Sequence, residues 1–302
     1  MTSPKIALVT GTSSGIGRAI AQTLARNGCH VFATMRGINA KNAAAAAELS
    51  RWATSEGVNL QVIELDLTDS ASIDTAVQQV ADKAGRIDVL VNNAGRGIFG
   101  LMETFTDEQL RNLFETNVFG PIKLTQAVLP YMRRQQEGLL IHISSTGGSI
   151  PYPYMGTYGA AKAALEGIAL TINSEAYSLG IDTVIIQAGG YGTDFATNVE
   201  TTTQQDIWES YGSIGDAGKA MIAGMPAQFA SGYLSTPESL AEKLAEIVDL
   251  PSGQRPLKLG IGVGSDGFDV LNDVLLPLQT KSLEAYGFGD LLKRSVVAEA
   301  VI

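Results

Sequence analysis

The chain has one cysteine, two histidines and 7% aromatic residues in 302 positions, and each scarcity removes a class of protein. The single cysteine, Cys29, cannot close an internal disulfide, so a stapled secreted scaffold is excluded and a reducing compartment fits. Cys29 reads as a small apolar residue entering a strand rather than a nucleophile. The two histidines, His30 and His142, are not spaced as metal ligands, and no cysteine–histidine or carboxylate cluster suggests a metal, so none is expected. No apolar run reaches the roughly 18 residues that a membrane span needs. The net charge is −10 with no basic block, which argues against nucleic acid as a partner. Met1 to Lys5 runs straight into a strand-like stretch without the pattern of a signal peptide, and a cytoplasmic location is expected.

What the chain does have is 45% hydrophobic residues, arranged as short runs of Val, Ile and Leu that alternate with longer helical patterns. Strands are predicted at Ile6–Val9, Val31–Met35, Leu60–Leu65, Val89–Asn92, Leu139–Ser144, Thr183–Gln187 and Lys258–Val263. Helices are predicted at Ile16–Arg26, Ala40–Ser55, Ser70–Ala84, from Thr106 to about Met132, at Thr157–Leu179 and from Pro237 to about Leu250. Thr106 with Gln109 makes a capping box, and Thr236 before Pro237 makes a second helix start. Apolar strands alternating with helices imply an α/β protein with a doubly wound parallel sheet of about seven strands and helices on both faces. Such a sheet binds ligands beyond the carboxyl ends of its strands, where the strand order reverses. The length fits one large domain, residues 1–302. The segment 191–235 is too long for an ordinary connection. It carries Trp208, Tyr211, Met221, Met225, Phe229 and Tyr233, and reads either as a satellite helical pair or as a flap over a substrate. Residues 264–302 form a C-terminal extension in which Phe268, Leu271, Val274, Leu275 and Leu276 predict a buried helix.

Two local patterns carry chemistry. Tyr158 and Lys162, four apart on a helix, put a phenol and an ammonium on one face; an ammonium so placed can lower a phenol's pKa and make it a proton donor and acceptor near neutral pH. Gly11, Gly15 and Gly17 lie between the first strand and the first helix, where glycines let the backbone approach a pyrophosphate resting on the helix N-terminus. Their spacing, three residues and then one, is not the usual dinucleotide fingerprint.

Taken together the motifs resemble the short-chain dehydrogenase/reductase family. Thr10–Gly17 matches that family's TGxxxGIG loop. Asn92, Asn93, Ala94 and Gly95 match its NNAG segment. Asn117, Ser145, Tyr158 and Lys162 match its catalytic tetrad. The likeness covers about residues 5 to 195, and strings such as Val31–Arg36 look most like the branch holding 17β-hydroxysteroid and retinol dehydrogenases. The resemblance implies a Rossmann-type fold, a nicotinamide cofactor, and hydride exchange between a ketone or aldehyde and an alcohol. Tyr158 would be the general acid and base, and Ser145 would hold the substrate oxygen. Lys162 would stabilise the phenolate and bind the nicotinamide ribose, and Asn117 would hold a relay water. Ser144 competes with Ser145; the 13-residue offset to Tyr158 favours Ser145. Implied cofactor contacts are Gly11, Ser13, Ser14, Gly15, Ile16, Gly17, Asp66, Leu67, Asn93, Ala94, Gly95, Tyr158, Lys162, Ala188, Gly189 and Thr193. Ala188 stands where relatives carry proline, which weakens the carry-over at Ala188 and Thr193. Asp66 reads alternatively as a turn-maker with Thr68.

At the end of the second strand an acidic residue would repel a 2′-phosphate. Met35 stands there and Arg36 follows, so NADP(H) is predicted over NAD(H). The expected substrate is a lipophilic ketone or secondary alcohol, because the 191–235 insertion and the segment Ser149–Met155, with Ile150, Tyr152, Tyr154 and Met155, lie near the site; the branch resemblance implies steroids or retinoids as candidates, and aryl or alkyl ketones and 3-oxoacyl groups stay open. Helices 106–132 and 157–179 are expected to have surplus apolar surface and to pair into a homodimer or homotetramer, as in relatives. Two other readings exist: a nucleotide-sugar epimerase or dehydratase, disfavoured by the glycine spacing, and a non-catalytic dinucleotide-binding protein, disfavoured by the full tetrad.

Overall fold

The computed structural model describes residues 3–195 and 199–294. Residues 295–302 of the predicted extension, and the side chain of Phe229, lie outside that description. Seven strands form one parallel sheet: β1 (Ile6–Thr10), β2 (His30–Met35), β3 (Leu60–Glu64), β4 (Val89–Asn92), β6 (Gly138–Ser145), β7 (Ile181–Ala188) and β9 (Lys258–Ile261). Their order is β3-β2-β1-β4-β6-β7-β9, and every pairing is parallel. Strands β1, β4, β6 and β7 are buried at every residue, which is why they read as apolar runs rather than alternating ones.

Helices cover both faces. On one side α1 (Gly15–Arg26), α2 (Ala43–Glu56) and α9 (Pro237–Asp249) pack on Val9, Val31, Val91, Ile141 and Val184. On the other, α3 (Ser70–Ala84), α5 (Gly120–Gln135) and the end of α6 (Gly156–Ala176) pack on Leu8, Phe32, Leu90 and Leu140. The chain winds outward from β1 through β2 to β3, then returns to β4 on the other side of β1. The reversal opens a crevice above the carboxyl ends of β1 and β4, and the glycine loop, the NNAG segment and Ser145 all sit at that level.

Two predicted helices differ from expectation. The capping box at Thr106 is present, with Thr106 Oγ1 accepting from Gln109 N at 3.2 Å and Gln109 Oε1 accepting from Thr106 N at 3.1 Å. The helix it opens is not continuous to Met132: α4 (Asp107–Phe114) passes through one π-helical turn, Glu115–Phe119, into α5. The wider turn admits an extra residue, and both Asn117 and Val118 end up buried. The predicted C-terminal helix forms as α10 (Phe268–Ala285) but is not buried: only Phe268 and Asn272 are, while Val270 is 68% and Val274 59% exposed. Among the described residues the large exposed apolar side chains gather on α10 more than on α4 to α6, where Phe119 stands out.

Candidate active site

The glycine loop is held from below by the NNAG segment. Thr10 Oγ1 accepts from Asn93 N and Ala94 N, both at 3.0 Å, and Asn93 Nδ2 donates to Thr10 O at 2.8 Å. Gly11 takes a positive φ of 72°, and a Cβ on Gly17 would lie 2.2 Å from Gly11 O and 2.4 Å from Asn93 Nδ2. The loop therefore folds onto itself at a closeness only glycine permits. Above it, α1 starts at Ser14 without a side-chain cap and with no acidic residue in its first turn, so the helix N-terminus is free to take an anion. Ser13 and Ile16 are half-buried at this end and Ser14 is exposed. Thr193 stands opposite: its Cβ and Cγ2 are each 3.4 Å from where a Gly15 Cβ would be, and its Oγ1 accepts from Phe195 N at 3.3 Å. Ala188 ends β7, and Gly189 crosses so close to β9 that a Cβ would meet Val263 O at 2.2 Å. An uncapped helix start, an uncluttered loop and a facing threonine fit the pyrophosphate of a dinucleotide.

At the adenosine end Arg36 is exposed just past β2. Burial alone would raise the Asp66 carboxyl, but hydrogen bonds from Thr68 N and Oγ1 at 2.9 and 2.8 Å, with Arg36 and Lys41 nearby, bring it below its ordinary value. The hydrogen bonds to Thr68 match the turn-making reading of Asp66. Lys41, missed by the sequence reading, is lowered by burial and by the neighbouring Arg36 and Arg96. Its stem lies 3.3 Å from a Gly37 Cβ position. Leu67 is buried, with its Cβ and carbonyl oxygen packed against Gly120.

The four tetrad positions come together. Tyr158 is buried, and the Ser145 hydroxyl is near enough to act against the rise in its pKa. Ser145 Oγ accepts from Gly147 N at 3.1 Å. Ser144 points the other way, donating to Glu166 Oε1 at 2.6 Å, because successive strand residues face opposite sides. Lys162 Nζ lies 5.9 Å from the Tyr158 ring centre and donates to Ile143 O at 2.8 Å. A Cβ on Gly95 would stand 3.6 Å from Lys162 Nζ and 3.4 Å from Asn117 Oδ1, so the NNAG segment runs between the two. Asn117 holds Arg96 by both backbone groups, accepting from its N and donating to its O at 2.9 Å each.

One electrostatic expectation is overturned. The helical Tyr–Lys spacing predicts a phenol of lowered pKa; instead burial pushes Tyr158 up to about 12, with the Ser145 hydroxyl acting the other way. Burial also brings Lys162 down to about 8, opposed by the Glu166 carboxylate. Water is excluded from both groups, and desolvation outweighs their mutual proximity.

The segment after β7 covers the tyrosine. A short strand β8 (Glu200–Thr201) pairs with β5 (Ile98–Phe99), and helices α7 (Gln205–Ser210) and α8 (Ser213–Ala230) follow. Phe99, Met155, Phe195, Val199, Met221, Ile222 and Met225 form one apolar cluster with Tyr158. Phe195 is 5.8 Å and Phe99 6.2 Å from the Tyr158 ring. The segment also has a core of its own: Trp208 is buried and donates to Gly215 O at 2.7 Å. Tyr154, at a positive φ of 65°, clips the segment down by donating to Ile214 O at 2.9 Å. Ile150, Tyr152 and Tyr233 are exposed at the rim, and Tyr211 donates to Glu103 Oε2 at 2.7 Å. Phe99 and Phe195 carried no motif in the sequence; only their apolar character marked them. Among the described residues no helix is long and apolar enough to cross a membrane.

The fold is the Rossmann-type fold of dinucleotide-binding oxidoreductases, and Ser145, Tyr158 and Lys162 meet at the carboxyl end of its sheet. The family model for short chain dehydrogenase matches residues 5–204. The chain belongs to the short-chain dehydrogenase/reductase family and is an oxidoreductase of it. It is 38% identical over 196 residues to a 3-ketodihydrosphingosine reductase of Bacteroides thetaiotaomicron, covering 65% of this chain and 67% of that protein. The chain spans 58 to 67% of the length of the first such relatives. A solved short-chain dehydrogenase from Streptomyces avermitilis superposes with a TM-score of 0.76 at 30% identity, over 96% of this chain and 100% of that one. A solved actinorhodin polyketide ketoreductase with NADPH gives 0.70 at 26% identity, over 85% and 95%.

Proposed function

We propose that the chain is an NADP(H)-dependent carbonyl reductase or alcohol dehydrogenase acting on a lipophilic ketone or secondary alcohol. The observation that carries this reading is Tyr158, with Ser145 beside it and uncharged Phe99, Phe195, Met221 and Met225 clustered around it. A charged or heavily hydroxylated substrate would leave its polar groups unpaired against that cluster. The bound nicotinamide would supply or accept the hydride.

In the reducing direction Ser145 holds the carbonyl oxygen as negative charge develops, and Tyr158 donates its proton to that oxygen. A pKa of about 12 keeps the phenol protonated and ready to donate. Lys162, held by Ile143 O and lying beside Gly95, stabilises the phenolate left behind and is placed to bind the ribose hydroxyls. Asn117 fixes the NNAG segment through Arg96 and positions a relay water. The glycine loop, Asn93, Ala94, Gly189 and Thr193 bind the rest of the dinucleotide, with Arg36 at the 2′-phosphate. The NADP(H)-bound neighbour supports that assignment, as does the exposed Arg36. We read residues 1–302 as one cytoplasmic domain that pairs into a homodimer or homotetramer; light scattering giving only monomer would contradict the pairing.

The test is a panel of aryl, alkyl and steroidal ketones with NADPH. Wild type should turn over apolar members. Tyr158→Phe should lose turnover by at least about 10²-fold, the lower end of what a general acid contributes, while still binding NADPH. Retained activity above a few per cent would end the mechanism.

A further inference from the structure

Behind the catalytic face lies a buried polar network that the proposed mechanism does not use. Tyr158, Lys162 and Glu166 stand at four-residue intervals on α6, one above the other on one face. Glu166 is buried, and its three direct partners come from β6, β9 and the loop after β6. Ser144 Oγ on β6 donates to Oε1 at 2.6 Å, and Lys258 Nζ on β9 lies 2.8 Å from Oε2. Ser149 Oγ, in the loop after β6, lies 3.4 Å from Oε2. Ser149 in turn accepts from Gln187 Nε2 on β7 at 2.6 Å, and Gln187 Oε1 accepts from Asn272 Nδ2 on α10 at 3.0 Å. The Glu166 and Lys258 side chains are only 6% and 3% exposed.

A buried ion pair is a poor investment in stability alone, since apolar residues of similar size often serve as well. This one has a second relation, to chemistry. Ser144 immediately precedes Ser145, so the carboxylate that holds Ser144 fixes the strand end that aims Ser145 at Tyr158. The same carboxylate is one helical turn from Lys162.

We propose that Glu166 is a positioning residue of the active site: held by Ser144 and Lys258, it aims Ser145 at Tyr158 and keeps Lys162 protonated at working pH. The charged and titratable groups around Lys162 are Tyr158 and Glu166 on its own helix and His142 on β6; Lys258 on β9 faces Glu166. Burial and the Lys162 charge hold His142 at about 4, so near neutrality it is uncharged and Glu166 is the carboxylate set against desolvation of the ammonium. The inference rests on the reading of Tyr158 and Lys162 given above, and its test does not require turnover.

The ten lysines of the chain are few enough for NMR of protein labelled with 13C at the lysine ε-carbon, with the Lys162 signal assigned by its loss in Lys162→Met. In Glu166→Gln the Lys162 titration midpoint should fall by about one unit, as for loss of a nearby opposite charge. The alkaline limb of kcat/KM should move down by the same amount, and kcat should fall more than KM rises. If Glu166→Gln fails to fold, the double variant Glu166→Leu/Lys258→Met must still show a drop at Lys162, smaller because the Lys258 cation is lost with the carboxylate and Glu166 is the nearer of the two along α6. An unchanged Lys162 midpoint in a folded variant overturns the proposal whatever the activity. A lowered midpoint in a protein that reduces no ketone upholds the electrostatic role of Glu166 and sinks the proposed reaction instead.

Discussion

The Tyr158 phenol gives the sharpest prediction. Its pKa of about 12 lies about five units above neutral pH, so forming the phenolate in the protein alone costs roughly 7 kcal/mol at 1.4 kcal/mol per unit. Only about one molecule in 10⁵ would hold it ionised. The direct assay is an ultraviolet difference titration of wild type against Tyr158→Phe, which isolates one of nine tyrosines. No tyrosinate absorbance should be lost by the substitution below about pH 10, the ordinary value for an exposed phenol. The kinetic consequence follows from the sign. Ketone reduction needs the protonated phenol and should be flat with pH until Lys162, near 8, begins to lose its charge. Alcohol oxidation needs the phenolate and should climb about tenfold per unit below its midpoint. Any separation between that midpoint and the free-protein value measures what the bound cofactor's charge contributes. Tyrosinate from Tyr158 appearing near pH 8 in the free protein would refute the argument, because desolvation would then not be the dominant effect. A reduction rate that rises with pH would refute the assignment of Tyr158 as proton donor.

Arg36→Glu should reverse cofactor preference, weakening NADPH by at least about 10-fold through loss of a charge-assisted pair and added repulsion while leaving NADH little changed; equal loss with both cofactors would mean that Arg36 only supports the turn. His142 is fully buried with its pKa down at about 4, so the unfolded chain binds its proton at higher pH than the fold does. The stability this contributes is present above about 6.5 and lost as pH falls through 4, about 3 kcal/mol in all. Denaturant melts of His142→Asn between those limits should show a flatter pH dependence than wild type, and an unchanged slope would remove His142 as the cause.

Much of the fold was legible because each strand is buried on both faces and so appears as an unbroken apolar run. Ile6–Thr10, Val89–Asn92 and Gly138–Ser145 were found within a residue or so at each end. Local chemistry carried the capping box at Thr106 and the Thr236–Pro237 start. The π turn at Glu115–Phe119 has no such local signature; beside it Gly120 packs closely on Leu67 from a distant segment. The exposure of α10 was equally out of reach: Leu271 and Val274 look like core residues by type, and only the packing of distant segments leaves them exposed.

By itself the sequence determined which chemical groups are available and their local spacing: the glycines at 11, 15 and 17, the Tyr158–Lys162 step along one helix, the arginine after β2. Those follow from backbone geometry over a few residues, and α6 even set Glu166 one further turn along. Only the tertiary structure decided what surrounds them. Burial turned a phenol expected to be acidified into one held near 12, and it brought Phe99, Phe195, and Met221 with Met225 from three separate stretches into one cluster with the same ring. Solvation and contact depend on every segment that packs against a group, and no window of neighbouring residues contains that information.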